Sequence, residues 1–199
     1  MAQAPTKRYR TLVADPPWHY DLRATDETHR ARAPYGTMSQ AELLGMPVGL
    51  WAEDDSHLYL WTTNAHLPAA FAICKAWGFE YKVLITWLKG RIEANRLVEH
   101  LGMGNYYRGS TEHILFGIRG SLAVRNHDVT TAFIAPRGEH SEKPAAFYDM
   151  VERMSPGPYL DIFARKQRLG WSTFGNEAYN PKWLLETLTT EQASGLVEE

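Results

Sequence analysis

The chain has 199 residues, 44% of them apolar and 22% charged, with a formal net charge of −2. That length supports one sizeable hydrophobic core, and the near-neutral charge excludes a protein that works through a global basic field. A lone cysteine, Cys74, excludes an internal disulfide and a cysteine-built metal site; with no apolar signal core before Arg10 and no stretch of ~18 apolar residues, a soluble cytoplasmic protein is expected.

Behind a short arm (1–9), the first strand is predicted over Arg10–Asp15. It must end at Pro16-Pro17, because neither proline donates a ladder hydrogen bond. A polar stretch, Leu22–Pro34, follows, and it is long for an ordinary connection. Ser39-Gln40-Ala41-Glu42 has the form of a capping box and opens the first helix, which ends near Gly45. After a strand at His57–Thr63 comes a helix over about Ala65–Trp77, capped by Asn64, stopped by Gly78 and carrying Cys74 inward.

The strand Tyr81–Leu88 leads into a second long stretch, Gly90–Ser110, which mixes glycines and arginines with Tyr106-Tyr107. Strands are predicted at Glu112–Ile118 and Thr130–Ala135. The next helix begins after Ser141, with Pro144 in its first turn and Ala145, Phe147, Met150 and Val151 facing inward, and stops at Ser155-Pro156-Gly157. Strands at Tyr159–Ala164 and Ser172–Phe174, a helix from Asn180-Pro181 and a loose tail (189–199) complete the chain. This alternation predicts an α/β fold: one Rossmann-like domain over 10–188, its sheet mainly parallel and covered by helices on both faces.

The most informative residues are Asp15-Pro16-Pro17-Trp18. Ligands of open α/β sheets bind at the carboxyl ends of the strands, and there an acid, two rigid prolines and an indole form a preset pocket for a flat, hydrogen-bonding ring. An aromatic amine such as adenine N6 is a poor nucleophile, because its lone pair is delocalised into the ring. Acceptors around the amino hydrogens localise that pair; the Asp15 carboxylate is one and the Pro16 carbonyl a second. Trp18 offers a stacking face and a π surface for a cationic methyl donor. Positioning for in-line transfer supplies the rest. The same residues also read as a strand-terminating turn in which Asp15 caps and Trp18 packs.

Further segments extend the pattern. Pro34-Tyr35-Gly36-Thr37-Met38-Ser39, Leu58-Tyr59-Leu60-Trp61-Thr62-Thr63-Asn64, Trp77-Gly78-Phe79, Trp87-Leu88-Lys89, Glu112-His113-Ile114-Leu115-Phe116-Gly117, His140-Ser141-Glu142-Lys143-Pro144, Asp161-Ile162-Phe163-Ala164-Arg165, Gly170-Trp171 and Gly175-Asn176-Glu177 follow in one order. In that order the chain resembles the DPPW-type adenine-N6 methyltransferases, the MT-A70 family, from about Leu12 to Asn176. The resemblance implies S-adenosylmethionine as donor and a permuted motif order, with the catalytic corner ahead of the main donor-binding strand.

It also implies roles. Asp15, Pro16, Pro17 and Trp18 are the catalytic set, and Asp15 also faces the donor. Lys143, at a helix start where a cation is otherwise poorly placed, meets the methionine carboxylate. Asp161 and Arg165 share one strand face and orient the donor or each other. Asn176 and Glu177 suit ribose hydroxyls or cap the last helix. Tyr35 lines the base pocket or packs under Pro34. Two departures stand out. An acidic-apolar segment that contacts the donor adenine in longer relatives has no counterpart before Arg10, and Lys166-Gln167-Arg168 replaces polar donor contacts, leaving Gln167 for a ribose. No metal is expected, since neither His113 nor His140 has a partner at metal-ligand spacing.

N6 is inaccessible within a base stack, so the substrate is a single strand or a flipped base. Trp18 and Tyr35 meet the base, while Arg23, Arg30, Arg32, Lys89, Arg91, Arg96 and Arg108 grip the backbone without reading sequence. DNA is favoured over RNA. A catalytically silent binding subunit of the same fold and a small-molecule or protein-amide methyltransferase are the alternatives, and a homodimer or a sister subunit through Trp183-Leu184-Leu185 is open.

Overall fold

Short apolar runs with a turn signal at each end become strands, and in the computed structural model they join one mixed sheet. Residues 7–20, 36–102, 106–138, 143–164 and 167–175 are described. The strands are β1 (Tyr9–Ala14), β2 (Ala52–Thr62), β3 (Glu80–Glu93), β4 (Arg96–Glu99), β5 (Thr111–Arg119), β6 (Ala132–Ala135), β7 (Tyr159–Ile162) and β8 (Trp171–Phe174). The helices are α1 (Gln40–Leu44), α2 (Val48–Trp51), α3 (Leu67–Ala76) and α4 (Ala145–Met154). Strand order is β4-β3-β5-β2-β1-β7-β8, with β6 alongside β3.

The sheet is mixed: of the pairings among the described strands, four are parallel and three antiparallel. β1 pairs parallel with β2 and β7, β7 with β8 and β3 with β6. β5 is antiparallel to both β2 and β3, and β4 to β3. Apolar runs buried on both faces look the same whichever way the strand runs, so periodicity carries no direction. Successive strand residues feed two apolar clusters. One holds Leu12, Ala14, Leu58, Leu60 and Leu115 with Leu43 of α1 and Ala70, Ile73 and Cys74 of α3. The other holds Val13, Tyr59, Trp61, Ile114 and Phe116 with Phe147, Met150 and Val151 of α4.

Local signals set the element ends. Ser39 Oγ accepts from Glu42 N–H, and the Glu42 carboxylate accepts from Ser39 N–H at 2.7 Å, the reciprocal box expected at the start of α1. α3 starts later than expected, at Leu67 behind His66, because the Asn64 side chain is engaged elsewhere: its Oδ1 lies 3.0 Å from His113 Nε2. Gly78, at φ +85°, ends that helix in the left-handed region that glycine favours. Pro144 is the cap of α4 rather than part of its first turn, and Ala145 is exposed, whereas Phe147, Met150 and Val151 are buried.

The stretch 90–110 is not a plain loop. β3 runs on to Glu93, turns at Ala94 (φ 47°) and Asn95 (φ 60°), and returns as β4. Positive φ at both central residues is the two-residue hairpin geometry usually signalled by Asn-Gly. Ala-Asn is a weak version of that signal, and β4 is exposed throughout, so neither turn nor strand announces itself.

Candidate active site

Where β1 stops, the backbone is pinned before it turns away. Asp15 N–H donates to the Ile162 carbonyl at the end of β7. Pro16 C=O accepts from Trp18 N–H at 2.8 Å, and Pro17 C=O accepts from Met38 N–H at 2.8 Å, tying the corner to the segment before α1. Both proline carbonyls thus have a backbone partner, and each keeps one lone pair.

Trp18 is 8% exposed. Its Nε1–H donates to the Trp61 carbonyl, and its ring lies on His66 with centroids 4.9 Å apart at an interplanar angle of 10°. One stacking face of the indole is therefore taken by the protein. Tyr20, 48% exposed, meets the edge of the same His66 and places its hydroxyl 3.1 Å from Thr63 Oγ1. Burial pushes its phenol upward, helped by the Glu112 and Asp15 carboxylates.

The charges form an alternating row. Lys143 Nζ lies 2.9 Å from Asp15 Oδ2 and 3.2 Å from Glu112 Oε2, and Lys89 Nζ is 2.7 Å from Glu112 Oε1. The Lys143 ammonium also sits 4.6 Å from the centre of the Trp61 ring. Burial works against charge on Glu112, yet the two ammoniums outweigh it and hold its carboxyl below the usual range. Burial likewise opposes charge on Lys143, and Asp15 with Glu112 overcomes it, raising the ammonium above the usual lysine range.

Asp161, buried on β7, accepts a 2.8 Å hydrogen bond from the Tyr148 hydroxyl of α4. Its carboxyl is pushed up to about 7, mainly by burial, with the Asp15 charge adding to the effect. The Arg168 guanidinium lies 4.2 Å from the centre of the Tyr148 ring. Asp15, Lys143, Asp161 and Glu112 thus gather charge and a near-neutral acid where β1, β5 and β7 meet the start of α4. An ammonium beside a carboxylate complements a zwitterion, which fits the amino-acid end of S-adenosylmethionine.

The MT-A70 family profile matches residues 9–177. The chain belongs to the MT-A70 family. The type II methyltransferase M.MunI of Mycoplasma sp is 29% identical over 195 residues, covering 88% of this chain and 80% of that protein. The human N(6)-adenosine-methyltransferase catalytic subunit METTL3 is 28% identical over 176 residues, covering 85% of this chain and 28% of that protein. The N(6)-adenosine-methyltransferase MT-A70-like protein of Arabidopsis thaliana is 28% identical over 183 residues, covering 90% of this chain and 25% of that protein. The chain therefore spans most of one relative and about a quarter of the others. As an MT-A70 enzyme it is an adenine-N6 methyltransferase that uses S-adenosylmethionine.

Of the residues singled out in the MT-A70 pattern, the structure brings together Asp15, Trp18, Lys143 and Asp161. Lys89 joins them through Glu112 instead of standing free for a backbone. Arg91 lies on the exposed hairpin, paired with Glu93 at 2.5 Å, and Arg96, Arg108 and Gln167 are exposed. Tyr35, Arg23, Arg30, Arg32, Arg165, Asn176, Glu177 and the helix from Asn180 lie outside the described residues. Sequence reasoning missed Glu112, Tyr20, Trp61, His66 and Tyr148 as parts of the site. Glu112 and Trp61 left a trace, each standing within a motif segment without a role assigned to it.

Proposed function

We propose that this chain transfers the methyl group of S-adenosylmethionine to the N6 amino group of adenine in nucleic acid. The observation that carries the reading is the Asp15–Lys143–Glu112 row at the mouth of the proline corner. When bound, the donor supplies an electrophilic methyl on a sulfonium. Lys143 receives its carboxylate and Asp15 its ammonium or an N6 hydrogen. The free lone pair of the Pro16 carbonyl takes the other N6 hydrogen. Nitrogen gains the methyl, the sulfonium becomes a neutral thioether, and the displaced N6 proton passes by way of the Asp15 carboxylate to solvent. Asp161 faces the donor from β7, with Gln167, Arg165, Asn176 and Glu177 completing its surroundings.

Tyr20, half exposed at this corner, offers the aromatic face for the base, and Trp18 braces the corner from beneath. The fold reading that accompanies this is a Rossmann-like domain of permuted motif order with helices on both faces. We favour DNA over RNA, because the relative matched along most of its own length is a type II methyltransferase. A second copy or a sister subunit is a natural partner for so small a catalytic domain.

The test is transfer of labelled methyl from S-adenosylmethionine to single-stranded DNA, duplex DNA and RNA, with Asp15→Ala alongside. N6-methyladenine that disappears in the variant supports the reading and names the polymer. Donor binding with no transfer to any polymer argues for another acceptor, and loss of both argues for a silent subunit.

A further inference from the structure

A cavity of about 700 Å³ lies away from the proline corner, lined by Gly90, Arg91, Val98, Glu99, His100 and, from the segment after β6, Pro136, Arg137 and Gly138. Its β3 wall starts one residue beyond Lys89. Lys89, which reaches Glu112, is two residues before Arg91 on the same face of β3, and His100 N–H donates to the Lys89 carbonyl at 2.7 Å. β6 runs parallel to β3 with Ala135 opposite Lys89. β6 ends at Ala135, and Arg137, two residues on, lines the same cavity as Arg91.

Arg91 and Arg137 thus put two guanidiniums on one cavity lining, where like charges repel. Glu93 takes Arg91, Glu99 lines the wall, and Arg137 Nη1 donates to His100 Nε2 at 3.4 Å. An anion between Arg91 and Arg137 removes the repulsion. Gly90 permits close approach of the two strands here, since a Cβ on it would lie 2.7 Å from the Val98 carbonyl. Beyond the cavity, the loop that returns to β5 carries Tyr106 and Tyr107, 95% and 91% exposed, and exposed Arg108. Two bare aromatic rings followed in the chain by a cation are the ingredients of a stacking track for unpaired bases.

We propose that this groove is a phosphate-binding subsite for the single-stranded nucleic acid flanking the target adenine, with Arg91 and Arg137 as its cations and Tyr106-Tyr107 as its stacking shelf. The proposal rests on the nucleic-acid reading above and adds Arg137, His100 and the hairpin to it. Arg137 is the residue that distinguishes it, since no pattern in the sequence singled it out.

The experiment is fluorescence anisotropy of labelled single-stranded DNA and RNA oligonucleotides against the full chain over a salt titration, with R91A, R137A, R137K and Y106A/Y107A. S-adenosylmethionine binding and thermal melting are measured on the same samples. Each arginine loss is expected to weaken binding several-fold and to lower the log–log salt slope by about 0.7. R137K keeps the slope, the tyrosine pair weakens binding without changing it, and donor affinity holds throughout. If the parent chain binds strands with a clear salt slope and R137A retains that slope, the groove is overturned while the nucleic-acid reading stands. If the parent chain binds no strand at all, both fall.

Discussion

The Lys143 ammonium lies 2.9 Å from the Asp15 carboxylate, and this contact joins the start of α4 to the end of β1. In the proposed mechanism it couples the residue that meets the donor to the residue that polarises the acceptor. Glu112, 3.2 Å away, balances the second side of the same ammonium, and Lys89 balances Glu112. An ammonium buried in this way is tolerable only while its partners are in place.

Lys143→Met should therefore do two separable things. It leaves Asp15 and Glu112 without their shared cation, at roughly 3 kcal/mol of stability, and it removes donor binding. In K143M/E112Q the row keeps one carboxylate, Asp15, and one ammonium, Lys89, so it is again neutral and part of the stability returns while methyl transfer does not. Chemical denaturation and calorimetric titration with S-adenosylmethionine read the two effects. Full recovery of transfer in the double variant overturns the assigned role.

The two aromatic residues of the corner should part company. Trp18→Ala empties a core position and is expected to lower stability by ~3–5 kcal/mol. Tyr20→Ala is expected to melt like the parent chain but to weaken nucleic-acid binding by ~1–3 kcal/mol, roughly 5- to 150-fold. Tyr20→Phe, which keeps the ring, should lie close to the parent. Equal losses for Phe and Ala would place the importance in the hydroxyl bonded to Thr63.

Asp161 makes stability depend on pH in an unusual direction. Its folded carboxyl titrates near 7 against an ordinary 3.8, so the folded state binds more protons than the unfolded one between those values. Stability should fall as pH rises from about 4 to about 7. Asp161→Asn removes that contribution. The stability difference between parent and variant, followed by denaturation across this range, should shift in favour of the variant as pH rises.

His57 works the other way. Its Nε2–H donates to the Leu122 carbonyl at 2.8 Å, which leaves Nδ1 to accept from the Ser155 hydroxyl, and Ser155 Oγ in turn accepts from Tyr59. Burial holds the imidazole below its ordinary 6.5, so protonation favours the unfolded chain and stability is lost as pH falls below that value. Ser155→Ala strands the Nδ1 acceptor and the Tyr59 hydroxyl and should lower stability by about 1–3 kcal/mol. Melting temperatures at pH 5 and pH 8 check both statements.

Much of this architecture was legible because local chemistry dictates it. Pro16-Pro17 had to end β1, Ser39 with Glu42 had to open a helix, and Gly78 had to close one. Those signals act over a few residues and need no knowledge of the fold. The hairpin at Ala94-Asn95 was illegible for the converse reason: its turn chemistry is weak and β4 buries nothing. The site was legible where a side chain stood beside a backbone constraint, as with Asp15, and illegible where it arrives from a distant strand, as with Glu112.

The sequence by itself determined that β1 ends in an acid held by two prolines, that apolar runs bounded by turn signals become strands, and that the family motifs stand in order. Each of these rests on backbone geometry or side-chain pattern within a short window. Only the tertiary structure decided the strand directions, the burial of Trp18 against His66, and the sharing of the Lys143 ammonium by Asp15 and Glu112. Those depend on which elements lie side by side after folding, and Coulomb and packing forces of that range leave no mark on the local pattern of residues.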